Sequence, residues 1–129
     1  MTTRAFYQDW HLQDAGAPFS IGDHVEWGAV PFYDEQERGL LGEIEEQGVE
    51  WEIEAPEPEP DDPDLTIVSG TVTAIRAIRQ RFETYKPGYA AAVPGDVIAW
   101  DLERADGREG NGDPRDVLYC FRGYIVTVD

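Results

Sequence analysis

Ile21-Gly22-Asp23-His24-Val25-Glu26-Trp27 and its echo Pro94-Gly95-Asp96-Val97-Ile98-Ala99-Trp100 decide how this chain is read. Both place Gly-Asp ahead of a stretch containing Val, with a Trp four residues after the Asp. Gly supplies turn geometry and Asp closes the turn through its own backbone, so each copy reads as a turn that launches a strand. Asp and Trp stand at even spacing and share one face of such a strand. Two strand starts of this kind point to a small β-barrel. Nothing else repeats, so the motif is a recurrent local solution and not a duplication.

Further strands follow from β-branched and aromatic enrichment. Residues 4–12 are aromatic-rich, and residues 65–75 (Leu-Thr-Ile-Val-Ser-Gly-Thr-Val-Thr-Ala-Ile) are strongly β-like, with Gly70 a bend or bulge. Residues 118–128 form a closing strand with Gly123 as a kink. Residues 74–82 fit either helical spacing through Ile75, Ile78 and Phe82 or a continuation of the preceding strand, and a bulged strand is expected.

The charge is lopsided. The 129 residues hold 27 Asp and Glu against 10 Lys and Arg, a net of −17. Residues 34–64 alone carry 14 acids against one base, Arg38, a net of −13, which leaves 13 acids and nine bases, a net of −4, for the rest. The chain therefore reads as one domain interrupted by an anionic insertion. Within it, Leu40, Leu41 and Ile44 suggest a short amphipathic helix across residues 34–47, although Gly39 and Gly42 each weaken it by roughly 1 kcal/mol. Residues 55–64, Ala-Pro-Glu-Pro-Glu-Pro-Asp-Asp-Pro-Asp, are expected to form an extended, solvated loop with no core side chains.

That charge repels nucleic acid and anionic membranes, so neither is an expected partner. No apolar run approaches the ~18–20 residues that span a bilayer, the N-terminus lacks a signal-peptide pattern, and a cytoplasmic location is expected. The single cysteine, Cys120, forms no internal disulfide and reads as a small buried residue of the last strand. Two histidines, His11 and His24, do not make a zinc site, and His24 reads as a solvated residue at a strand start. Glu109-Gly110-Asn111-Gly112-Asp113 with Asp116 lacks the fixed Gly and Glu of a calcium loop and reads as a polar turn between the last strands. No cofactor is implied. No nucleophile elbow or phosphate-cradling loop is present, and a non-enzymatic protein is expected.

Two features carry recognition. Arg76, Arg79, Arg81 and Lys86 bring four of the ten basic residues into eleven positions, to meet either an external anion or nucleic acid, or the protein's own acidic segment, of which the second is preferred on overall charge. The acidic segment is the other, through Glu50, Glu52, Glu54, Glu57, Glu59, Asp61 and Asp62, with Trp51 among them as an exposed anchor. Trp10, Trp27 and Trp100 are expected to be mainly core.

Phe6-Tyr7-Gln8-Asp9-Trp10, followed by Pro18-Phe19-Ser20-Ile21-Gly22-Asp23-His24-Val25-Glu26-Trp27 and Gly70-Thr71-Val72-Thr73-Ala74-Ile75, resembles an uncharacterised family of small acidic actinobacterial proteins. Members of that family often carry a Cys pair just before the Pro-Phe. Asp14-Ala15-Gly16-Ala17 stands there in this chain, so no thiol or metal role transfers. The resemblance implies a barrel-like fold and a source, and no activity.

The expectation is an all-β chain: a small OB- or Tudor-like barrel with one short helix and an acidic Pro-rich insertion. Its expected role is that of a non-enzymatic module binding a protein partner of basic character. The alternative is an acidic inhibitor or immunity-type protein that mimics nucleic acid to block a basic partner.

Overall fold

A computed structural model describes residues 2–8, 12, 16–32, 39–59, 61–109 and 119–129. The expectations for Trp10, His11, residues 34–38 and the calcium-like loop beyond Glu109 lie outside them. The chain is all-β in character. Its strands are β1 (Thr3–Gln8), β2 (Phe19–Ser20), β3 (His24–Pro31), β4 (Val49–Ala55), β5 (Thr66–Lys86), β6 (Tyr89–Leu102), β7 (Arg104–Ala105) and β8 (Tyr119–Val128). One helical turn, α1 (Glu43–Glu46), lies between β3 and β4.

The strands pair in the order β3-β4-β1-β8-β5-β6, and β3 pairs in addition with β5. Hydrogen-bonded pairing therefore runs from β3 through β4, β1, β8 and β5 back to β3. β1 and β4 are parallel, and the other neighbours in that circuit are antiparallel. β5 is its hub. Its first residues pair with β3, its middle with β8, and residues 75–86 with β6. Residues 74–82 are thus strand, as expected, with register shifts on both sides of β5. The β-branched run Thr71 to Ile75 favours the pleated surface over a helix.

Side chains alternate across this circuit and build two cores. Inward-facing Ala5, Tyr7, Trp27, Ile53, Val72, Ile75, Ala77, Tyr124, Val126 and Val128 form the inner cluster. Tyr7 lies edge-on to Trp27 at 5.0 Å and Phe19 edge-on to Trp27 at 4.9 Å, with Tyr124 6.4 Å from Tyr7. Phe6, Ile78 and Ile125 face the other way, and Phe32, Leu41 and Val49 cover them as an outer cluster. The acidic insertion thereby supplies core.

The sequence expectations are corrected in four places. The expected helix over residues 34–47 is, in the described part, the single turn Glu43–Glu46, because Gly39 (φ 93°) and Gly42 (φ 88°) are both left-handed. Gly95 (φ 77°) lies inside β6 and launches nothing, since the register with β5 is broken there. Cys120 is exposed. The register shift between Ile78 and Arg79 turns Phe121 inward, 5.2 Å from Tyr124, and Cys120 outward. Residues 55–64 are not fully extended. Asp62 N–H donates to Glu59 O at 3.2 Å, the Asp62 carboxylate accepts from Asp64 N–H at 2.9 Å, and Pro58 packs on the sheet.

Burial holds the hydroxyls of Tyr7 and Tyr124 protonated well above the ordinary phenol value of 10.0. For Tyr124, the Glu109 carboxylate it donates to adds to the effect. The folded state then keeps protons that the unfolded chain releases. This stability is intact below about pH 10 and declines as the pH climbs past it, at up to ~1.4 kcal/mol per pH unit for each group. The melting temperature is expected to fall above pH 10, and less steeply in a Tyr7→Phe/Tyr124→Phe variant. Equal slopes in thermal melts of the two proteins would show that these phenols are not the cause.

Candidate functional site

The first Gly-Asp turn builds one end of a cleft. Asp23 N–H donates to Ser20 O at 3.0 Å, and its carboxylate accepts from Ser20 N–H at 2.8 Å, which fixes the turn into β3. Along β3, Val25 and Trp27 are buried while His24 and Glu26 are exposed, the period-2 alternation of a strand with one face in the core. Pro56 and Glu57, just past β4, form the opposite wall. Gly28 lets that wall approach: a Cβ there would meet Leu65 Cδ1 at 2.7 Å, Pro58 Cβ at 3.0 Å and Ala55 Cβ at 3.2 Å. The cavity between, about 330 Å³, has Phe19, Val25 and Trp27 among its lining, with Asp23, Glu26 and Glu57 around them.

Asp23 and Glu26 come from the turn into β3 and its first residues, Glu57 from just past β4, and all three residues line the cleft together with apolar side chains. A cationic side chain with a hydrophobic stem suits such a site, because its methylenes cover the floor and its charge meets the rim. Among the described residues no group of three His, Cys, Asp or Glu is placed to hold a metal ion. His24 lines the same cleft, and sequence reading treated it as a simple solvated residue.

The residues singled out in the sequence divide into three sets. Glu57 lines the cleft, while Glu50, Glu54, Glu59, Asp61 and Asp62 are exposed. Glu52 is buried and accepts from the Gln8 side-chain amide. Trp51, expected as an exposed anchor, is half-buried against the inner cluster, because the register shift between Arg4 and Ala5 turns it inward beside Ile53.

The arginines are engaged within the chain. Arg76 holds Glu45 through two hydrogen bonds of 2.7 and 3.0 Å and Asp101 at 3.1 Å, and the Glu45 bonds raise its pKa most. Arg79 is buried and donates to Glu109 O at 3.1 Å and Tyr119 O at 3.4 Å. Arg81 pairs with Glu83 and Asp96 at 3.4 and 3.5 Å. Sequence reasoning missed the cleft because Glu57 stands 31 positions beyond Glu26 along the chain. Only the β3–β4 register brings them together.

Fold and site define an all-β protein with an anionic cleft floored by aromatic and aliphatic side chains. The chain belongs to a family of unknown function, DUF6578, whose match covers residues 1–129. No match was found among curated proteins or solved structures. No helix among the described residues is long and apolar enough to cross a membrane.

Proposed function

We propose that this chain is a non-enzymatic protein-binding module that receives a basic side chain of its partner in the cleft of Asp23, Glu26 and Glu57. The observation that carries this reading is that Asp23, Glu26 and Glu57 line one cleft together with Phe19, Val25 and Trp27. The circuit of strand pairing supports a small closed barrel, the kind of platform on which OB and Tudor modules also build their sites. Exposed Glu50, Glu54, Glu59, Asp61 and Asp62 add a field that steers a basic partner toward the cleft and weakens with salt. Nine Arg to one Lys accords with the actinobacterial source that the sequence resemblance implies, and a cytoplasmic setting with its lone cysteine.

The test is capture from native lysate on tagged protein, at low and at high salt, beside a Glu26→Gln/Glu57→Gln variant. A basic partner is expected, released by salt and held roughly 5- to 25-fold more weakly by the variant, as loss of two exposed charge contacts implies. A partner held equally by both proteins would overturn the cleft as the contact. A second reading, a nucleic-acid mimic that blocks its partner, draws on one observation: β4 holds Glu50 and Glu54 exposed on a fixed strand. In that case the captured protein binds nucleic acid, and Glu50→Gln/Glu54→Gln releases it.

A further inference from the structure

The cleft holds one side chain that a cation site does not need. His24 lines it beside Asp23, Glu26 and Glu57. It is exposed, and its imidazole has no hydrogen-bond or ion-pair partner among the described residues. The turn before it does not require a histidine: the echo of the motif carries Val97 at the same place, and Ala99 where this copy has Glu26. The sheet sets its position. Gly22 N–H donates to Val72 O at 2.8 Å and Val72 N–H to Asp23 O at 2.9 Å, which ties the turn to β5 and puts His24 opposite Thr71. His24 and Glu26 are exposed while Val25 between them is buried, so the two share the outer side of β3. Residues so placed stand about 6.6 Å apart along a strand, inside the screening length of about 8–10 Å at ordinary salt.

The charges around His24 are nearly all of one sign. Asp23 precedes it in the turn, Glu26 follows it on β3, and Glu57 stands across the cleft. On the β5 side Ser69 and Thr71 are neutral, and Asp129 lies beyond Thr71, which it meets through two backbone hydrogen bonds. Beside the turn, Glu103 accepts from Ile21 N–H through its carbonyl, and Arg104 donates to Ser20 Oγ at 3.4 Å. Only Arg104 among these is a cation.

We propose, on the reading of this cleft as a cation site, that His24 gates it by proton uptake. Neutral, the imidazole lets the carboxylates receive a basic side chain. Protonated, it repels that side chain and draws on Glu26 itself. Histidine is the ordinary side chain that changes charge between about pH 5 and 8. A proton on the ring adds positive charge beside the place of the partner's cation, so affinity falls as the pH falls. One like charge at this separation in an exposed site weakens binding roughly 3- to 5-fold. Linkage makes the effect reciprocal: a bound cation lowers the proton affinity of His24 by the same factor.

The probe is N-acetyl-arginine amide, whose single positive charge is the same throughout this range. The full chain is titrated with it at about pH 8 and about pH 5.5, at one low salt concentration, across the range in which histidine changes charge. Nuclear magnetic resonance follows the backbone amides of residues 23–27 and 57. Binding is expected to be roughly 3- to 5-fold weaker at the lower pH. In His24→Gln, neutral at both, the ratio is expected to fall close to one. His24 is exposed, so the substitution leaves the core untouched. The His24 ring is also expected to take its proton at lower pH with the probe bound, which an effect of acid on the fold alone would not produce. A probe that binds equally at both pH values, or a His24→Gln protein that keeps the wild-type ratio, would overturn the gate and leave the cation site standing. A probe that moves none of these amides at either pH would overturn both.

Discussion

Replacing Trp27 with alanine is expected to lower stability by about 3–5 kcal/mol, the range for a buried large aromatic cut back to a methyl group. Trp27 is 5% exposed and packs edge-on against both Tyr7 and Phe19. Those rings come from β1 and β2, so they cannot close over the gap without moving two elements fixed by their own pairings. A domain of this size has roughly 5–15 kcal/mol in all, so the loss is a large share of it. Urea unfolding measures it as a drop in midpoint at constant slope. A near-neutral Trp27→Ala protein would place the indole in the cleft as a contact for the partner, with no part in the core. Trp100, only partly buried against the same cluster, is expected to cost less.

How much of this was legible in sequence varied with the range of the interaction. The Gly-Asp turn at residues 22–23 was, because the bonds that shape it are local: Asp23 pairs twice with Ser20, and the bonds of Gly22 and Asp23 to Val72 only anchor it to the sheet. The strand through residues 74–82 was, because its β-branched approach and its helix-like spacing conflict and the first prevails in a sheet. The same Gly-Asp dipeptide at residues 95–96 was misread. Local chemistry sets a kink in both places, and only the long-range pairing of β5 with β6 decides that the second lies within a strand.

Trp51 and Cys120 failed for one shared reason. A register shift of one residue reverses which side chains face inward, and bulges leave little trace in composition. The arginine cluster divides: Arg81 pairs with Glu83 and Asp96 outside the insertion and Arg79 donates to backbone carbonyls, while Arg76 reaches into it. Arg76 does meet acids of this chain, Glu45 in the insertion among them, and a charge partner 31 positions away is found by folding and not by spacing. The cleft was invisible for the same reason, since its walls meet only through the β3–β4 ladder and the room left at Gly28.

The insertion is where charge and core compete, and Leu41→Ala decides between them. Sequence makes the stretch around Leu41 an anionic excursion, for which a surface substitution costs within about 0.5 kcal/mol. In the structure Leu41 is 1% exposed and seals the outer cluster over Phe6, Ile78 and Ile125. Its surroundings are pinned. Leu41 N–H donates to the Glu46 carboxylate at 2.9 Å, and Leu40 O accepts from the Gln80 amide at 2.6 Å and from Gly95 N–H at 2.8 Å. A site held this rigidly collapses poorly around a void, so Leu41→Ala is expected to cost about 2–5 kcal/mol in chemical denaturation. Glu46 is spent on Gly39 and Leu41, and Glu45 on Arg76, so these carboxylates fix the segment and are not offered to a partner. The free anionic surface is then that of Glu50, Glu54 and the Pro-rich stretch, which lies beside the cleft. A cost below 0.5 kcal/mol would return residues 39–48 to the role of a solubilising loop and remove the scaffold that holds β4 and its exposed glutamates in place.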